Sequence, residues 1–88
     1  MTPLEAAQWM FNELQRDGYL DQETAAWKLL QQDKTFVYTN ANGNLGIDAK
    51  VLKAFNKLAP TSGYVWSRSE RSWRRRGNYD VPGKRMQD

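Results

Sequence analysis

The sequence predicts an α+β domain: three helices, a short β pair between helices 2 and 3, and a C-terminal β-hairpin. Three observations carry that prediction. Segments near 3–17, 22–32 and 49–58 repeat apolar residues at helical spacing, and each opens on a capping residue. Two short β-prone runs, Phe36-Val37-Tyr38 and Leu45-Gly46-Ile47, flank turn-rich residues that include Asn42-Gly43. In Tyr64 to Arg76, aromatic and β-branched residues stand on either side of a short polar turn. Residues 1–76 are expected to form a single compact domain, with 77–88 an irregular or disordered tail rich in Gly, Pro and polar side chains.

The first helix, 3–17, starts at Thr2, with Pro3 at the first helical position and Glu5 completing a capping box. Leu4, Ala7, Phe11 and Leu14 form its expected apolar stripe, with Met10 beside them. Gly18 is the predicted left-handed C-cap, and Tyr19-Leu20 its hydrophobic contact. Asp21 caps the second helix, which buries Ala25, Ala26, Leu29 and Leu30 and ends near Gln32. Asp48 caps the third. At 100° per residue Val51, Phe55 and Leu58 share one face of it, and Lys50, Lys53 and Lys57 lie nearly opposite. Residues 59–63 turn the chain into the hairpin. With Ser69-Glu70 at its tip, Trp66 faces Trp73, Ser67 faces Ser72 and Val65 faces Arg74. Ser-Glu suits a two-residue turn poorly, however, and a longer loop leaves the register open. Tyr79 and Val81 are candidates to fold back onto the core.

With neither cysteine nor histidine, the chain has no disulfide, no thiolate nucleophile and neither of the commonest metal ligands. No phosphate-binding loop, dinucleotide fingerprint or nucleophile elbow occurs, and most acidic residues sit at helix starts where capping explains them. The sequence therefore predicts no enzyme, no cofactor and no metal site. No apolar run approaches the roughly 20 residues that span a bilayer, and the opening Met1-Thr2-Pro3-Leu4-Glu5 does not read as a secretory signal. A cytoplasmic bacterial protein is expected.

Charge is divided sharply along the chain. Residues 1–48 carry three cations against seven anions, a net −4, while 49–88 carry ten against three, a net +7. The basic half is a footprint for a phosphate backbone or an acidic protein surface, unless the two halves simply complement each other within the fold. The candidate nucleic-acid contacts are Lys50, Lys53 and Lys57 on the third helix and Arg68, Arg71, Arg74, Arg75 and Arg76 on the hairpin. As a purely structural feature, the lysine face is a solvated surface. Four tryptophans are many for 88 residues. Trp9 falls off the stripe of helix 1 and Trp27 lies at the edge of helix 2, so both are candidate interface residues in a homodimer or an adaptor. Alternatively each indole covers a side of the core with its N–H reaching water.

The run G-Y-L at 18–20, N-G-N at 42–44, V-L-K-A-F at 51–55 and W-S-R-S-E-R-S-W at 66–73 resembles a family of small bacterial proteins classed as a domain of unknown function. The similarity extends to the D-V-P-G-K-R segment at 80–85. That resemblance implies no activity, ligand or catalytic residue. The element order also resembles a winged helix, in which a third helix enters the major groove and a hairpin touches the backbone. Here residues 33–48, including the β pair, stand between helices 2 and 3, where a helix-turn-helix has a turn of 3–4 residues. Asn56 is the only amide on the third helix, which has no arginine, so any nucleic-acid binding is expected to show little sequence preference.

Overall fold

The computed structural model describes residues 2–60, 63–77, 80 and 84–87. Helix α1 spans Pro3–Asp17 and opens on the expected capping box. The Thr2 hydroxyl accepts from Glu5 N at 3.1 Å, and the Glu5 carboxylate accepts from Thr2 N at 2.9 Å. Its buried side is Ala6, Ala7, Met10 and Leu14, turned from the expected stripe: Leu4 is 59% exposed and Phe11 half-buried. Gly18 ends the helix with φ 81° and donates to the Leu14 carbonyl at 2.8 Å. A side chain there strains a left-handed backbone, so Gly18→Ala is expected to cost about 1–2 kcal/mol in urea denaturation.

Tyr19–Asp21 forms strand β1, where the sequence suggests only a helix-cap contact. Asp21 then caps α2, Gln22–Gln32, accepting from Thr24 N at 3.0 Å. A short 3₁₀ turn, Lys34–Phe36, buries Phe36 and takes it out of the strand expected there. Strands β2, Val37–Thr39, and β3, Leu45–Ile47, pair antiparallel around the Asn40–Asn44 turn. The Asn40 carboxamide oxygen accepts from the backbone of Asn42 and Asn44, and Gly43 has φ 81°. Helix α3, Ala49–Leu58, starts at Asp48, whose carboxylate accepts from Lys50 N at 2.9 Å. It buries Val51 and Phe55.

Strands β4, Tyr64–Ser67, and β5, Ser72–Arg75, take the expected register, with Trp66 opposite Trp73. The connection is four residues, Arg68–Arg71, not two. Arg71 supplies its left-handed residue, at φ 52°. The Ser72 hydroxyl donates to the Glu70 carbonyl at 2.9 Å and ties the turn down. The longer loop thus leaves the register intact. Strand β1 pairs antiparallel with β5, and β6, Met86–Gln87, lies parallel to β4, giving the order β1-β5-β4-β6.

One sheet face meets the helices. Leu20, Trp73 and Trp66 lie on it, Phe55 of α3 packs 4.9 Å from Trp73, and Phe11 of α1 meets the Tyr64 ring edge-on at 5.7 Å. The opposite face carries Val65, Ser67 and Ser72, all buried, together with Arg74. Arg74 reaches Asp80 through two 2.8 Å hydrogen bonds.

Within the segment expected to be an irregular tail, Met86–Gln87 joins the sheet as β6, and neighbouring described residues are bonded to the hairpin. Trp66 N donates to the Arg85 carbonyl at 2.7 Å, and the Arg76 guanidinium donates to the Lys84 carbonyl at 2.6 Å. Residues 61 and 62 of the expected turn, and Tyr79 and Val81, lie outside the described residues.

The bidentate Arg74 guanidinium, helped by the Gly77 N–H at 2.6 Å, holds the Asp80 carboxyl at about 2, below its ordinary 3.8. A carboxyl whose folded pKa lies below its unfolded one stabilises the fold in its ionised form. That contribution is complete above about pH 4 and fades as the pH falls toward 2. Asp80→Asn should lower the melting temperature at pH 7 and flatten the loss of stability between pH 4 and 2, as read by thermal denaturation.

Candidate functional site

Lys50, Lys53 and Lys57 project from α3 on the side away from Val51 and Phe55, and all three are exposed. They border a shallow depression whose apolar part is Leu4, Ala54 and Leu58. Leu4, which slipped out of the expected stripe, thus lies beside the lysines at the start of α1. Among the described residues none of the three ammonium groups reaches a carboxylate. Helix α3 contains no acidic residue, so its outer face has a single sign of charge.

The arginines divide differently. Arg68 and Arg71 lie in the exposed turn between β4 and β5. Arg74 is paired with Asp80, its side chain only 19% exposed. The Arg75 guanidinium donates to the Gln15 carbonyl at 3.3 Å beside Gly18, so it helps to close the end of α1. Arg76 holds the Lys84 carbonyl. Three consecutive cations that look like one basic patch in sequence are each engaged with a different part of the fold. Of the eight candidate contacts, the three lysines on α3, the two arginines at the hairpin tip and Arg75 are exposed, Arg75 with its guanidinium turned to the end of α1.

A cation missed by the sequence reading contributes to the site. Arg85 donates to the carbonyls of Ala59 and Asn56 at 3.0 and 3.1 Å, satisfying the C-terminal end of α3 and favouring the negative end of its dipole. Beside it a cleft of about 280 Å³ separates α3 from the sheet. Leu52, Trp66, Trp73 and Met86 supply its apolar walls, and Gln22, Asn56 and Arg85 its polar groups. Trp66 and Trp73 pack at 4.7 Å with their planes inclined by 54°. Trp73 is almost wholly covered, while Trp66 remains half-buried. The cleft has no local sequence signal beyond the tryptophan pair, because its lining comes from five separate elements, α2, α3, β4, β5 and β6 with the adjoining Arg85.

The two indoles proposed for an interface also part company. Trp9 is partly buried, with the Lys28 ammonium 6.0 Å from its ring centre. Lys28 is held there by Glu13, a carboxylate that also takes Arg16 at 2.7 Å. Trp27 is 53% exposed. Among the described residues no group of three or more acidic side chains could hold a metal ion, and no helix is long and apolar enough to cross a membrane.

Fold and site together define a small α+β domain with a basic helix on its surface and an aromatic cleft beside it. The chain belongs to a family of unknown function, DUF6953, whose profile matches residues 2–75. The match stops at the end of β5, short of the D-V-P-G-K-R segment and of Asp80, Arg85 and β6. No curated protein and no solved structure matches the chain significantly.

Proposed function

We propose that this domain binds nucleic acid through the outer face of α3, holding the sugar–phosphate backbone with little sequence preference. The observation that carries the reading is the trio Lys50, Lys53 and Lys57 on one exposed helix face with no carboxylate partner among the described residues. Lysine is a compact point charge that suits phosphate contact, and base discrimination calls for the planar donors of arginine or amides. Arg68 and Arg71, exposed in the hairpin turn, are proposed to add a contact to a second backbone segment.

The topology supports a winged-helix-like reading. Strand β1 lies between α1 and α2 and pairs with β5, the second strand of the hairpin, so the first two helices are tied to the sheet. The β2–β3 pair takes the place of the short turn that ordinarily precedes a recognition helix. A cytoplasmic bacterial protein that acts as a binding module, not an enzyme, accords with this partner.

Salt dependence tests it. With three to five phosphates neutralised, the logarithm of affinity for a short duplex should fall against log salt with a slope of about −3 to −4. No binding to either duplex or single strand at about 20 mM salt, or a slope near zero, overturns the reading. One observation favours a different partner: Trp27 and Tyr38 are 53% and 55% exposed, the kind of aromatic surface that protein interfaces use.

A further inference from the structure

We infer that the cleft between α3 and β4 accepts an unpaired base, so that the nucleic acid this domain prefers is single-stranded. The inference rests on the proposed function and specifies its substrate. An aromatic ring with a polar edge matches what the cleft offers. Its apolar walls are Leu52, Trp66, Trp73 and Met86, and the half-buried Trp66 leaves part of an indole for stacking. Every base has a π face, so stacking gives affinity without sequence preference. The carboxamides of Asn56 and Gln22 border the cleft, and each offers both a donor and an acceptor to a base edge. Arg85, anchored on the Ala59 and Asn56 carbonyls, holds a planar cation at the same rim.

Charge and cleft also lie in register along one helix. Lys53 and Asn56 are three residues apart on α3, which places their Cβ atoms about 5–6 Å apart on the helix surface. That spacing is comparable to the reach from a nucleotide's phosphate to its own base. A phosphate held by Lys53 therefore leaves its base beside Asn56 and Trp66. In a duplex the same base is stacked and paired, and extracting it costs a few kcal/mol. A single strand presents it at much lower cost.

Three oligomers of equal length decide the matter with the intact chain at low salt: oligo-dT, an abasic sugar–phosphate strand, and a duplex. Oligo-dT should bind at least about fivefold more tightly than the abasic strand and shift the Trp66 indole N–H resonance. Asn56→Ala should reduce that preference and leave abasic affinity unchanged. The substitution is exposed and raises helix propensity, so the fold is retained. Equal affinity for oligo-dT and the abasic strand overturns the base cleft and leaves backbone binding standing. A duplex that binds as tightly as oligo-dT, with Trp66 undisturbed, does the same. Failure of all three to bind overturns both readings.

Discussion

Phe55→Ala is expected to cost about 3–5 kcal/mol, the range for removing a fully buried aromatic side chain. Phe55 has no exposed surface, and its ring stacks at a tilt on Trp73, which in turn packs on Trp66. That chain of rings joins α3 to the centre of the sheet. Truncation removes the first ring and leaves a cavity that neighbours on two other elements cannot easily close. Domains of this size have total stabilities of about 5–15 kcal/mol, so the variant should lose between about a fifth of its stability and nearly all of it. A loss of 3 kcal/mol alone lowers the melting temperature by more than about 12 °C. Urea denaturation of the purified variant measures the effect directly. A loss below about 1 kcal/mol would mean that the sheet is not fastened to the helices through Phe55.

The second large effect is on binding. Replacing Lys50, Lys53 and Lys57 together by glutamate takes the formal charge from +3 to −3, since each substitution removes two units. All the reversed charge lies on one face. Affinity for nucleic acid at low salt should fall by at least about a hundredfold, because counterion release at all three contacts is lost and repulsion replaces it. The fold should survive, since the three side chains are exposed and exposed substitutions usually move stability by less than about 0.5 kcal/mol each. Circular dichroism checks the fold and fluorescence anisotropy the affinity. Unchanged affinity in a folded variant removes α3 from the contact surface. Substituting Arg74, by contrast, should act mainly on stability, because its guanidinium belongs to Asp80.

The contrast between those arginines and lysines shows what can be seen in a sequence of this kind. The helix starts at Thr2, Asp21 and Asp48 are legible because each cap is a bond between residues two or three apart. The lysine face of α3 is legible for a related reason: its opposite side is fixed by Val51 and Phe55. The hairpin register follows from the Trp66–Trp73 pair, although the turn chemistry at Arg68–Arg71 does not.

What escapes notice depends on distant partners. Strand β1 is three residues whose only reason to be extended is β5. Strand β6 is two residues ordered by Trp66 and Ser67. Arg74, Arg75 and Arg76 form a charge run in sequence, yet each finds its partner on a separate segment, at Asp80, Gln15 and Lys84. Glu13 is buried between Arg16 and Lys28, which lie on two helices, and only the approach of α2 to α1 makes it so. The aromatic cleft depends on all of this long-range order, since α2, α3, β4, β5 and Arg85 must all be in place before it exists.

The central claim is that α3 is the face that meets the partner, and amide chemical-shift mapping with a short single strand at low salt tests it most directly. The account predicts shifts concentrated on residues 49–58, on the Arg68–Arg71 turn and at the Trp66 indole. A spectrum in which those signals stay still, or in which only the surroundings of Trp27 and Tyr38 move, contradicts it.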